Sequence, residues 1–263
     1  MAPFDVYFKA IADYVADLRN SRKPFRETIC AASGGNYFRD LPVRVGRAAQ
    51  TGIILKEDTG VELGNPRVGS CAFMLWTDRP SLITDNRITL IGPDIQESSG
   101  SSLPFGQVLM IAGSSLKEDR HADLEWSQYI SDRIEGYMIR SIPRRMWGRV
   151  SKAALQKGFS FAVLGKALIG LIKSESPLVE AVEILFVTSG KEDIEGLEKI
   201  SQPVERIASN IKMGKFIVGE NGDYTCTSGL DCRICLDKEV CDVIREQIAI
   251  RKANIAIGED GST

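Results

Sequence analysis

Apolar residues near the start of the chain fall at Phe4, Phe8, Ile11, Val15 and Leu18, spacings of four and three that put them on one face of a helix ending before Pro24. Asp5, Lys9, Asp13 and Asp17 interrupt that stretch, so the helix is two-sided and needs a surface to lie on. From Ser33 to Gln50 the pattern is irregular and rich in Gly and Arg, which reads as a connection, with SGG at 33–35 as a turn. Three short apolar runs follow, CAFMLWT, RITLIGPD and GQVLMIAG, each bounded by Gly, Pro or Asp as buried strands are. Ser115 with Glu118 then has the form of a capping box and predicts a helix running through Trp126, Ile130, Ile134 and Met138. SKAALQKG and FAVLGKALIGLIK predict two further helices, the second ending near Pro177. AVEILFVTS predicts a late strand, and Ser189 with Glu192 a second capping box, opening a helix through Ile194, Leu197, Val204, Ile207 and Ile211 that Pro203 kinks or restarts.

Early strands, then helices, then a late strand and helix predict an α+β fold, with mixed α/β also compatible. The organisation read from this pattern is an N-terminal helix and linker over 1–45, a main domain over 46–215, and a cysteine-rich segment with a terminal helix and tail over 216–263.

Charge and composition narrow the function classes. The 263 residues are 43% hydrophobic and 26% charged with a formal net charge of −2, so the chain lacks the basic surplus that nucleic acid rewards. The start has neither a basic leader nor an unbroken apolar core, and FAVLGKALIGLI is interrupted by Lys166 and followed by Lys173, so neither a signal peptide nor a membrane span is expected. The expected location is the cytoplasm, where clustered cysteines read as metal ligands or reactive thiols rather than as a disulfide framework.

Four of the six cysteines stand in CTSGLDCRICLDKEVC. Cys226, Cys232, Cys235 and Cys241 supply the four soft donors that a [4Fe-4S] cluster or a tetrahedral zinc ion requires. Their spacing matches neither the paired motif of zinc ribbons nor the run of bacterial ferredoxins, so it points to a metal without choosing one. Cys30 and Cys71 stand alone and read as small buried residues.

A second concentration of chemistry is MIRSIPRRMWGRVSK, which holds Arg140, Arg144, Arg145, Arg149 and Lys152 around Trp147 with no acidic residue. Guanidinium forks suit phosphate oxygens, and the indole offers a stacking surface for an adenine ring. The same residues could equally form a solvated helix face with Trp147 in the core. Acid–base or nucleophilic catalysis finds little support, because the single histidine, His121, lies in the charged run LKEDRHADLE and reads as solvated. No nucleophile elbow, dinucleotide fingerprint or P-loop motif is present.

Five phrases in order, VELGNP (61–66), ITLIGPDIQE (88–97), PFGQVLMIAGSSLKED (104–119), WGRVSKAALQKG (147–158) and GKALIGLIKSESPLVE (165–180), resemble the beta subunit of the CO dehydrogenase/acetyl-CoA synthase complex and the matching middle region of bacterial acetyl-CoA synthase. In that family the matched module is followed by a domain carrying an iron–sulfur cluster bridged to a binuclear nickel site, and the cysteines here do not align onto its ligands. The resemblance therefore implies an accessory module of one-carbon or CO metabolism that does not make acetyl-CoA alone. It implies CoA as a guest of the Arg140, Arg144, Arg145, Trp147, Arg149 and Lys152 region, with an acidic partner such as a ferredoxin served by the same patch. It also favours a [4Fe-4S] cluster over zinc at the four cysteines, and makes components of the complex the natural partners. Two other readings stay open: a subunit whose catalytic cluster comes from another chain, and a zinc-holding scaffold or regulatory protein.

Overall fold

The computed structural model describes residues 2–31, 36–46, 53–65, 67–98, 102–142, 145–213, 216–218, 224–226 and 246; within these, the side chains at 122, 126, 128, 129, 132, 140–142, 145 and 212–226 lie outside the description. The chain divides into two compact units, Met1–Ser209 and Asn210–Thr263.

In the first unit, α1 (Asp5–Asn20) follows the predicted face, with Phe4, Phe8, Ile11 and Leu18 buried. A five-stranded mixed sheet is built from β1 (Phe25–Ile29), β3 (Ser70–Thr77), β4 (Arg87–Ile91), β6 (Phe105–Ala112) and β9 (Ala181–Val187), in the order β1-β4-β9-β6-β3. β4 runs parallel to β9 and β3 parallel to β6, whereas β6 and β9 are antiparallel, as are β1 and β4. Every residue of β9 is buried, as a continuous apolar run at the centre of a sheet covered on both faces demands. On one face, α1 and α5 (Lys191–Met213) meet where the Tyr14 hydroxyl donates to the Asp193 carbonyl at 2.6 Å, and Asp5 accepts from Thr77 of β3 at 2.7 Å. On the other face lies α4 (Phe161–Glu175), whose Phe161 stacks on Phe105 and packs 4.9 Å from Phe186.

A second sheet combines β2 (Thr59–Leu63), β5 (Ser102–Leu103), β7 (Tyr137–Ile142) and β8 (Arg145–Ser151) in the order β5-β2-β8-β7. The short α3 (Lys152–Gln156) continues from β8, its first turn capped by Ser151, whose hydroxyl accepts from the Ala154 amide. In the second unit, β10 (Phe216–Val218) pairs antiparallel with β11 (Tyr224–Cys226). Helices and mixed sheets make this an α+β fold.

The four predicted strands and the helices at SKAALQKG and FAVLGKALIGLIK are present, and three expectations change. The Ser115 capping box does not form: Lys117 begins a 3₁₀ turn over Glu118–Arg120 with no side-chain cap, followed by the short helix α2 (His121–Glu125) and a 3₁₀ stretch over Trp126–Arg133. Met138, expected at the end of that helix, is in β7. α5 continues as one helix through Pro203, so no fresh segment starts there. The Ser189 hydroxyl donates to the Asp193 carboxylate, while the Ile194 amide bonds back to the Gly190 carbonyl.

Gly92 explains why one of the family phrases turns where it does. Its φ is +112°, and a Cβ there would stand 2.4 Å from the Ser189 amide, so only glycine lets the ends of β4 and β9 close together. Just beyond it, Asp94 and Glu97 form a capping box, and Asp94 also accepts from the Phe161 amide at 3.0 Å, tying the loop to the start of α4.

Candidate functional site

The basic run singled out in the sequence folds as the β7–β8 hairpin rather than as a helix face. Strand alternation sorts its residues: Met146, Gly148 and Val150 are buried, so positions 145, 147 and 149 lie on the opposite face. Register sets Arg140 against Trp147, Ile142 against Arg145 and Met138 against Arg149. The backbone therefore places Arg140, Arg145, Trp147 and Arg149 on one face of the hairpin. Lys152 is exposed but begins α3, outside that alternation, and Arg144 lies outside the described residues.

Two contacts fix the strand just ahead of Trp147. The Ser70 hydroxyl accepts from the Met146 amide at 2.8 Å and donates to the Met146 carbonyl at 2.5 Å, clasping β8 to the start of β3. Gly64, at φ +74°, lets the VELGNP turn pass the same carbonyl, which a Cβ would approach to 2.3 Å.

Arg149 is already committed. Its guanidinium stands 4.4 Å from the Trp147 ring centroid, donates to the Ile54 carbonyl at 2.9 Å and reaches Glu62 Oε1 at 3.3 Å. Asn65 donates to the other Glu62 oxygen at 3.3 Å. Trp147 is half-buried, with the cation over its ring. Arg149 is thus engaged by the indole, Ile54 and Glu62, while positions 140 and 145 share its strand face. Glu62 escaped the sequence reading because it lies on β2, 87 positions from Arg149, and nothing local links them.

The proposed metal ligands fall largely outside the described residues. Cys226 closes β11 opposite Phe216, but its side chain, and all of Cys232, Cys235 and Cys241, lie beyond the description. Among the described residues no group of three or more His, Cys, Asp and Glu side chains is placed to hold a metal ion. Cys30 and Cys71 are buried as expected, and burial pushes the Cys71 thiol up to about 12.

His121 corrects an expectation. It is buried at 2% exposure, stacked on Phe4 with centroids 5.6 Å apart, and its Nδ1 accepts from Trp76 Nε1 at 3.1 Å. The charged residues around it concealed that a helix of five residues turns its first side chain inward.

An α+β module with an arginine-and-tryptophan strand face is the class these features define. A family model described as "CO dehydrogenase/acetyl-CoA synthase complex beta subunit" matches residues 41–193, more than half of the chain. The chain belongs to that family. It is similar to acetyl-CoA decarbonylase/synthase complex subunit beta 2 of Methanocaldococcus jannaschii, 29% identical over 164 residues, covering 62% of this chain and 34% of the relative. The Moorella thermoacetica carbon monoxide dehydrogenase/acetyl-CoA synthase subunit alpha is 31% identical over 218 residues, 80% of this chain and 29% of the relative. The Archaeoglobus fulgidus subunit beta is 31% identical over 196 residues, 72% and 36% respectively. The chain thus spans about a third of the length of these relatives. Among the described residues, no helix is long and apolar enough to cross a membrane.

Proposed function

We propose that this chain is a cytoplasmic accessory module of CO dehydrogenase/acetyl-CoA synthase metabolism that uses the β7–β8 face to engage an anionic group, either the phosphates of CoA or an acidic redox protein such as a ferredoxin. The observation that carries this reading is the strand alternation that sets Arg140, Arg145 and Arg149 beside Trp147 within the family-matched part of the chain. Guanidinium positions flanking an indole suit a nucleotide-like ligand, the charges taking phosphate oxygens and the ring taking the base. Cys226, Cys232, Cys235 and Cys241 have the donor number and softness for a [4Fe-4S] cluster, with zinc the competing occupant. A cluster held there would supply one-electron transfer.

Calorimetry with CoA tests the ligand half. The R140A/R145A double variant should lose about tenfold or more in affinity, since each charge-assisted contact to phosphate carries about a kilocalorie or more. Arg149 is the wrong residue for this test because its loss also releases Glu62 and Ile54. Unchanged affinity in the double variant, or no binding by the parent chain, removes CoA. Iron, sulfide and zinc analysis of protein purified without oxygen tests the other half: about four irons with matching sulfide supports the cluster, and stoichiometric zinc favours the scaffold reading.

The relatives' names, subunits of decarbonylase/synthase complexes, support a second reading, in which the chain works as one subunit beside another polypeptide that supplies the catalytic cluster. Stable co-purification with CO dehydrogenase/acetyl-CoA synthase components would support it, and a chain that purifies alone from cells expressing them would count against it.

A further inference from the structure

A groove lies on the face of the five-stranded sheet that α1 crosses. Register puts Thr89, Leu185, Met110 and Glu183 on that face, all four of them buried, and the groove runs above them between α1, Phe25, Leu82 and Arg87. The resulting cavity is about 520 Å³, in the size range of small-molecule sites. Its helical wall is thinned by Ala12 and Ala16, one turn apart and both exposed, and the apolar surface it leaves open is led by Leu82, 38% exposed, with Val15 and Phe25 half-buried.

Two cations and two carboxylates line the groove, and Arg87 serves both carboxylates. Glu183, with its side chain 8% exposed, accepts from the Thr84 amide at 2.7 Å and from Arg87 at 2.7 and 2.9 Å, and Arg87 also lies 3.8 Å from Glu27. Arg19, at the rim, is held over the Phe25 ring at 4.9 Å and, among the described residues, meets no carboxylate.

We propose that this groove binds an amphipathic monocarboxylate, its acyl chain along the apolar trough between α1 and the sheet and its carboxylate on Arg19, with the Asn20 amide beside it. Complementarity to Arg19, the lining cation that meets no carboxylate among the described residues, selects this occupant. A neutral apolar ligand leaves Arg19 without a counter-ion, and a cationic one meets it head-on, whereas a carboxylate gains a charge-assisted contact while its chain covers apolar surface.

The test uses the full chain and octanoate, with octanol and octylammonium as controls, followed by ligand-observed NMR and calorimetry. Octanoate should bind saturably and more tightly than either control. R19Q should weaken octanoate about tenfold, the loss of one charge-assisted contact, and leave octanol unchanged. A16F, at an exposed position on the groove wall, should abolish binding of both. Absence of saturable octanoate binding, indifference to R19Q, or indifference to A16F would overturn the proposal. None of these readouts involves the hairpin or the clustered cysteines, so the groove stands or falls separately from the function proposed above.

Discussion

In the five-stranded sheet Arg87 meets Glu183 on the neighbouring strand, and in the four-stranded sheet Arg149 meets Glu62 in the same cross-strand way. The surroundings differ. Glu183 belongs to a strand in which every residue is buried, and desolvation pushes its carboxyl pKa up despite the Thr84 amide and Arg87. Glu62 and Arg149 keep side-chain exposures of 21% and 17%, and the same guanidinium lies over Trp147 and bonds Ile54. The first pair is a polar group tolerated in a core because every oxygen is satisfied. The second is only part-buried, and its guanidinium also lies over a half-buried indole.

The largest effect that sharpens this contrast lies in the core. Phe186 is fully buried against Phe161 and Phe105, and F186A should cost about 3–5 kcal/mol, measured by urea denaturation. An intermediate below 1 kcal/mol would mean that the five-stranded sheet does not dominate stability. On the hairpin, R149A should cost about 1–2 kcal/mol through its lost hydrogen bonds and stack, whereas K152A, at an exposed position, should stay within about 0.5 kcal/mol. Equal costs for the two would break the distinction between an engaged and a solvated cation.

Acid titration gives a smaller contrast of opposite sign. Glu135, beside β7, accepts from the Arg44 amide at 2.9 Å and from Lys157 at 2.9 Å, and its pKa is lowered from 4.5 to about 2. Its contribution is therefore full above pH 4.5 and is lost as pH falls through about 2. Glu183 is raised from 4.5, so its contribution is full below that value and declines as pH rises through the higher folded pKa. The stability gap between the parent and E135Q should widen as pH rises from 2, and that between the parent and E183Q should narrow above 4.5. Gaps moving in the same direction would contradict the assigned environments. The least perturbing check is alkylation: with its thiol pushed up to about 12, Cys71 should resist iodoacetamide at pH 8 in the folded chain and react after unfolding.

Four strands of the large sheet, β3, β4, β6 and β9, were legible because each is a dense apolar run with clear punctuation, whereas the edge strand β1, FRETI, is exposed along most of its length and left no such signal. The small sheet was not legible either. β2 and β8 carry only half a pattern, buried on one face, and TGVEL and RMWGRVS contain too few apolar residues to stand out. The arginine-and-tryptophan cluster was visible as composition, yet its assignment to a hairpin and the diversion of Arg149 to Glu62 depended on a strand pairing across 87 positions. His121 was misread for the same reason: its neighbours in sequence are charged, and its neighbours in space are Phe4 and Trp76.

By itself the sequence determined where the core runs lie, that α1 is amphipathic, that Cys30 and Cys71 are buried, and which family the chain resembles. Local hydrophobic periodicity and ordered motif phrases carry that information within a few residues of each position. Tertiary structure alone decided which strands pair, which arginine is neutralised, and where α1 leaves a groove over the sheet. Each of these depends on side chains brought together from distant parts of the chain, and no local pattern records which of several matching charges or apolar faces will meet.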